Sequence, residues 1–276
     1  MKTVLSIQSQ VATARVGNSV AAFAMERLGV RVFQLPTTIL GRRPDRGAPG
    51  GGPIPRETLQ SLIEGVSGDE RLGEIDAVLS GYVGDSEQVG AILDIVERVK
   101  AAREDAIFMC DPVLGDDGKL FVSEAVADAV LNGLAPHADW LAPNAFELGL
   151  AAGRPIANVD EARSAARRLG KPVLASSIPT ESGLGVLYAA PGGDWLCETQ
   201  KLPHAPKGAG DLLSALFLAR RLQQQPPAVA LEAATGSVYD VIVRSIAAQS
   251  ADLALPLAQD MLVDPMTWPQ AQALPV

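Results

Sequence analysis

Short apolar runs of strand length alternate with amphipathic stretches of helical spacing along the chain, and this alternation restricts the fold more than any other feature. Residues 4–7 form a compact apolar run ending in Gln8-Ser9-Gln10, and residues 18–28 carry apolar side chains at helical spacing. Residues 30–35 read as a second strand. Strand 76–79, helix 88–100 and strand 106–110 follow, the last running into Asp111-Pro112. Residues 140–142 lead through Pro143-Asn144 into a helix bearing Phe146, Leu148 and Leu150, then helix 159–169 and a strand opening at 172–175. Residues 185–189 and 195–198, separated by Pro191-Gly192-Gly193-Asp194, read as a hairpin, and long helices are expected at 211–221 and 228–247. Such an order predicts a three-layer α/β/α fold with a central, mostly parallel sheet covered by helices on both faces.

No repeat or low-complexity linker divides the sequence, so residues 1–276 are expected to form one domain. The segment 36–55 is so rich in Gly, Pro and Arg that regular structure is not expected there. Long structureless connections inside a compact domain tend to be functional, and we read this one as a lid over a site.

A formal net charge of −9 argues against a broad nucleic-acid surface, which needs clustered Lys and Arg. It does not argue against a nucleotide, because a few backbone N–H groups and one divalent cation suffice for its phosphates. Cys110 and Cys197 are the only cysteines and no Cys-x-x-Cys pair occurs, so neither a disulfide framework nor a zinc site is expected. The opening residues turn polar too soon for a signal peptide, and no apolar run reaches spanning length, which predicts a cytoplasmic protein without membrane contact.

The stretch Pro206-Lys207-Gly208-Ala209-Gly210-Asp211 stands immediately before an apolar-periodic helix. Glycines at 208 and 210 let the backbone approach a ligand, so Gly208, Ala209 and Gly210 form a candidate anion hole at a helix N-terminus. Asp211 falls in the first helical turn, placed to take a proton from an attacking hydroxyl while backbone donors stabilise a transferring phosphoryl group. Alone, the same residues would equally describe a tight turn with Asp as helix cap.

Gly208-Ala209-Gly210-Asp211 resembles the Gly-x-Gly-Asp signature of the ribokinase-like superfamily. Further segments resemble its pyridoxal kinase branch: Ile7-Gln8-Ser9 with Gly17-Asn18-Ser19, Leu79-Ser80-Gly81-Tyr82-Val83-Gly84, Cys110-Asp111-Pro112-Val113-Leu114-Gly115, Ala142-Pro143-Asn144-Ala145-Phe146-Glu147-Leu148, and Val238-Tyr239-Asp240. They occur in the family's order and cover most of the chain. The resemblance implies a ribokinase-like fold, ATP as phosphoryl donor with Mg²⁺, pyridoxal or a related vitamer as acceptor, and a homodimer. It implies Asp211 as catalytic base, Gly208 and Gly210 in the anion hole, and Asn144 and Glu147 at the ATP phosphates, with Glu147 and Asp111 near the metal. It further implies Ser9, Thr37 and Tyr82 around the vitamer ring, and Ser176 or Ser177 on the nucleotide.

Where the better-known pyridoxal kinases carry histidines, this sequence has Gln10, Arg15 and Gly41-Arg42-Arg43. Arg42, Arg43 and Arg46 are therefore either a clamp over the triphosphate or a solvated basic loop, and Lys207 has the same two readings. His137 and His204 match no catalytic position. Two rivals stand beside the vitamer kinase: a kinase for another hydroxymethyl heterocycle such as hydroxymethylpyrimidine, and a vitamer-binding protein of low activity.

Overall fold

The computed structural model describes residues 1–275. The chain opens with β1 (Thr3–Val11), α1 (Asn18–Arg27), β2 (Arg31–Leu40), β3 (Gly51–Pro53), α2 (Arg56–Ser67) and β4 (Ala77–Ser80). It continues through α3 (Gln88–Ala102), β5 (Ile107–Cys110), a two-stranded hairpin of β6 (Gly115–Asp116) and β7 (Lys119–Leu120), α4 (Glu124–Asp128), β8 (Trp140–Leu141), α5 (Ala145–Ala152) and α6 (Val159–Arg168). The last third holds β9 (Val173–Pro179), β10 (Leu184–Ala190), β11 (Gly193–Thr199), α7 (Ala209–Leu222), α8 (Pro227–Ala247), α9 (Gln259–Val263) and β12 (Gln272–Leu274).

Ten strands form one sheet in the order β12-β11-β10-β9-β8-β5-β4-β1-β2-β3. The six from β9 to β2 pair in parallel, whereas β3 at one end and β10 to β12 at the other are antiparallel. Burial on both faces explains why the central strands read as continuous apolar runs. One core, with Leu5, Ile7, Phe108 and Leu141, packs under α2, α3, α5 and α6 through Leu59, Ile92, Leu148 and Ala162. The other, with Val4, Leu79 and Met109, packs under α1, α7, α8 and α9 through Met25, Leu216, Leu231 and Leu262. The expected three layers are therefore present.

Because β1 joins β2 on one side and β4 on the other, the strand order reverses beside β1. Ligands of open parallel sheets gather outside the carboxyl ends at such a reversal. Tyr82, Asp111 and Asn144 stand just beyond the carboxyl ends of β4, β5 and β8, while Ser9, Thr37 and Ser176 lie in the carboxyl-terminal parts of β1, β2 and β9.

The segment 36–55 departs from expectation. Residues 36–40 continue β2, and β3 folds back on it, pairing Thr38 with Pro53 and Leu40 with Gly51. Two threonines and an isoleucine in succession favour an extended, pleated backbone, which outweighs the Gly and Pro content that follows. The irregular part shrinks to residues 41–50, and Pro44–Arg46 form one turn of 3₁₀ helix within it.

Candidate active site

The amino end of α7 carries the geometry of an anion site. Gly208 has φ +99°, and a Cβ there would lie 2.4 Å from the carbonyl oxygen of Arg15, so only glycine fits at this close approach. No side chain caps the helix, so the first-turn N–H groups keep their donors free. Ala209 and Gly210 line a cleft of about 1000 Å³, and a Cβ built on Gly210 would meet nothing within 4 Å. An uncapped helix N-terminus facing a cleft favours a negatively charged ligand through its donors and its dipole.

Asp211 follows in the same turn. Its Oδ2 accepts the backbone N–H of Gly17 at 2.8 Å. Gly17 has φ +56°, and a Cβ there would stand 2.4 Å from the carbonyl oxygen and 2.6 Å from Oγ of Ser9. The carboxyl end of β1, the start of α1 and the start of α7 thus meet at Gly17, which touches Ser9 on one side and Asp211 on the other. Burial pushes the Asp211 carboxyl above the usual range, and the Gly17 bond opposes this by favouring the anion.

Asp111, buried at the end of β5, accepts a 2.6 Å hydrogen bond from Ser214 Oγ, one turn beyond Asp211 on α7. Its carboxyl is raised well above the ordinary range by burial and by the charges of Glu147 and Asp211. Glu147 is as buried, and its oxygens accept the backbone N–H groups of Leu114 at 2.8 Å, Gly115 at 3.3 Å and Asn144 at 2.9 Å. Burial still pushes it up to about 7 against those three donors. The Asn-x-x-Glu pair also makes a capping box at the start of α5, in which Asn144 Oδ1 accepts the Glu147 N–H at 3.0 Å. Asn144 Nδ2 donates to the Gly115 carbonyl at 2.8 Å, so the pair holds the loop after β5 in place.

Three acidic groups crowded into a buried site repel one another unless a cation joins them. Among the described residues no group of three or more His, Cys, Asp or Glu is arranged to enclose a metal ion. The donor set nevertheless fits Mg²⁺, which takes one or two carboxylates and completes its octahedron with water and phosphate oxygens. Asp111 would hold it, with Glu147 acting through water because its oxygens already serve backbone donors.

A pH dependence follows. All three carboxyls titrate higher in the folded protein than in the unfolded chain, so the folded state keeps protons that the unfolded state has lost. The stability these groups contribute without metal is then fully present below about pH 4, the unfolded carboxyl range, and is lost as pH rises through about 7, the Glu147 value. Urea midpoints at pH 5 and pH 8 in EDTA check this: the loss at pH 8 is expected to be on the order of 3 kcal/mol. In Glu147→Gln it should be visibly smaller.

The large cleft is also lined by Ser176, Ser177, Lys207, His204, Tyr239 and the Asp116-Asp117-Gly118 turn. Both serines line this cleft, and Ser177 is held at φ +57°. His204 stands exposed on the rim, a position the sequence did not suggest for it. Lys207 lies 4.8 Å from the Phe121 ring centroid and 3.6 Å from an Asp116 oxygen, across the mouth.

Ser9, Thr37 and Tyr82 do not line this cleft; Ser9 lies in β1, Thr37 in β2 and Tyr82 just beyond β4. Thr37 is fully buried and its hydroxyl donates to the Tyr82 carbonyl at 2.6 Å, so it builds the pocket wall, and the bond uses its one proton. The neighbouring Thr38 hydroxyl is buried without a partner.

Two of the three lid arginines are engaged, although most of residues 41–50 are exposed. Arg43 and Arg46 both pair with Asp252, at 3.3 and 3.0 Å, and Arg46 also donates to the Ala251 carbonyl at 2.9 Å. Arg42 donates to the Ala48 carbonyl within the loop. Two guanidinium groups on one carboxylate fasten residues 41–50 to the segment beyond α8, whose Leu253 borders Gly208. Cys110 is fully buried, as expected, and burial raises its thiol to about 12.

Ser214 and the role of Gly17 were missed by sequence reasoning. Helical spacing of three from Asp211 to Ser214 was the available signal for the first. The partner across the sheet, Asp111, was not deducible from spacing.

Comparison with known proteins gives a consistent result. Residues 24–255 match the family described as phosphomethylpyrimidine kinase. The chain is 36% identical to the pyridoxal kinase PdxY of Leifsonia xyli, covering 95% of this chain and 96% of the relative. It is 36% identical to the pyridoxal kinase PdxY of Pseudomonas aeruginosa, covering 95% and 94%. The crystal structure of pyridoxal kinase from Leishmania donovani in complex with ADP and pyridoxamine superimposes with a TM-score of 0.93 at 27% identity, covering 100% of both chains.

Proposed function

The chain belongs to the pyridoxal kinase family, and from that premise we propose that it transfers the γ-phosphoryl group of ATP to the 5′-hydroxymethyl group of pyridoxal, and of pyridoxine or pyridoxamine. The observation that carries this reading is the meeting of Asp211 with both halves of the site. Through the N–H of Gly17, which itself packs on Ser9, its carboxylate is joined to the start of α1 and the end of β1, while the two residues before it, Ala209 and Gly210, line the large cleft. A hydroxyl entering from the ring side meets the base at the point where phosphates arriving through the cleft meet the N–H donors.

The steps follow from charge. The Gly17 N–H favours the anionic form of Asp211 against the effect of its burial and fixes its rotation. The carboxylate takes the hydroxyl proton as the alcohol oxygen attacks. The N–H groups of Ala209, Gly210 and Asp211 stabilise the negative charge on the transferring oxygens. Asp111, and Glu147 through water, would hold Mg²⁺, which would supply charge neutralisation for the phosphates. The ring lies against Tyr82, whose loop is held by Thr37. The nucleotide base has the apolar cleft wall of Leu213, Val238 and Ile242.

The resemblance to pyridoxal kinases supports a cytoplasmic homodimer in which residues 41–50 act as the lid and 1–276 as one domain. No helix among the described residues is long and apolar enough to cross a membrane. An ADP-release assay with the three vitamers and Mg·ATP tests the assignment: turnover is expected with at least one, and turnover with none of them would sink it. The family match to phosphomethylpyrimidine kinases favours hydroxymethylpyrimidine as the second substrate to test.

A further inference from the structure

Gln88, the first residue of α3, is fully buried although it stands at a helix end. Its Nε2 donates to the Thr37 carbonyl at 2.7 Å and to the Ile54 carbonyl at 2.8 Å, while its Oε1 accepts the Gly84 N–H at 3.1 Å. Two carbonyls need the amide nitrogen and one N–H needs the oxygen, so the network fixes which way the amide points. The three partners belong to separate segments. Thr37 is the β2 residue whose hydroxyl holds the Tyr82 carbonyl. Gly84 ends the turn that begins at Gly81-Tyr82. Ile54 directly follows β3, where the chain leaves the lid, and its N–H also donates to the Thr37 carbonyl at 2.8 Å.

One side chain therefore ties the wall of the ring pocket to the exit of the lid. Burying a glutamine costs free energy unless its donors and acceptor are used, and here three separate bonds compensate it. Nothing in the nucleotide cleft touches it.

We propose that Gln88 is a positioning residue for the ring-binding half of the site, setting the distance between Thr37 and the Tyr82 turn and holding the closed lid against both. Its action is one-sided: it governs the acceptor and leaves the nucleotide alone. The inference rests on the vitamer-kinase reading for its kinetic effect but not for its effect on the lid.

Gln88→Met keeps the length and removes every polar contact, leaving the Ile54 carbonyl and the Gly84 N–H without partners. KM for the vitamer is expected to rise about tenfold, the cost of one unmet buried group, with KM for Mg·ATP unchanged. Trypsin cleavage after Arg42 or Arg46 should quicken by a similar factor, because the lid has lost its inner anchor; the Arg43–Pro44 bond resists trypsin in either protein. Gln88→Asn, polar but one methylene short, replaces the Met variant if that fails to fold and should show the same split. If the parent turns over vitamers and the variant's two KM values rise together, or the vitamer KM stays within twofold, the inference is overturned. If the parent acts on no vitamer, the functional reading falls, and the trypsin rates decide on Gln88 alone: faster cleavage keeps the lid anchor, equal rates discard it.

Discussion

Asp211→Asn is expected to lower kcat by about 10³-fold while leaving the KM values for nucleotide and vitamer within a few-fold of the parent. The substitution is nearly isosteric, and the amide oxygen can still accept the Gly17 N–H, so the junction of β1, α1 and α7 is preserved. What disappears is the capacity to take a proton. A positioning role alone would survive the change, so the size of the loss separates base from cap. A fall of less than tenfold would return Asp211 to the role of a helix-terminal carboxylate and raise the standing of a vitamer-binding protein of low activity.

Gly208→Ala carries the second large effect. An alanine at φ +99° is strained by about 1–2 kcal/mol before any contact is counted. Its Cβ would also stand 2.4 Å from the Arg15 carbonyl, which is backbone and cannot swing aside. Either the 12–16 loop or the first turn of α7 must shift. Displacing the N–H donors by an ångström costs roughly 10²-fold in rate. Gly210→Ala is the control in the same turn. It meets no atom within 4 Å and leaves the fold unstrained, but places a methyl group in the cleft where the phosphates are proposed to lie. Its expected signature is a raised KM for Mg·ATP with stability close to the parent's. Denaturant midpoints and steady-state constants on the two variants distinguish strain from occlusion.

The parts of the architecture legible in the sequence are those where local pattern and burial agree. The central strands are buried on both faces, so residues 4–7, 77–79 and 107–110 announce themselves as apolar runs. The β10–β11 hairpin is marked by Pro191-Gly192 between alternating segments. The extension of β2 was not legible, because Pro36 and the Gly-rich segment that follows speak against a strand, and only pairing with β1 and β3 overrides them. Nor was β12, whose three residues are held by a neighbouring edge strand and by contacts of the preceding tail. The Thr267 N–H and hydroxyl donate to Asp240, and the Ala271 N–H donates to Glu232.

The candidate site divides in the same way. Asp211 after Gly208-Ala209-Gly210 and the Asn144/Glu147 pair follow local rules of helix ends, and their residue types identify them. The Ser214 bond to Asp111 spans 103 positions, the pairing of Arg43 and Arg46 with Asp252 spans 209 and 206, and the Gln88 bonds to Thr37 and Ile54 span 51 and 34. No spacing rule contains that information. Thr37 shows the difference: the sequence places it at the pocket, and only the structure shows its hydroxyl engaged by the Tyr82 carbonyl.

The central claim is that Asp211 serves a pyridine ring held by Ser9, Thr37 and Tyr82. Its most direct test is kcat/KM for pyridoxal and for hydroxymethylpyrimidine, measured side by side on the unmodified protein with saturating Mg·ATP, with the phosphorylated product identified by mass. The account requires pyridoxal 5′-phosphate as product and the larger kcat/KM for pyridoxal. A larger value for the pyrimidine, or no phosphorylated product from pyridoxal, would contradict it.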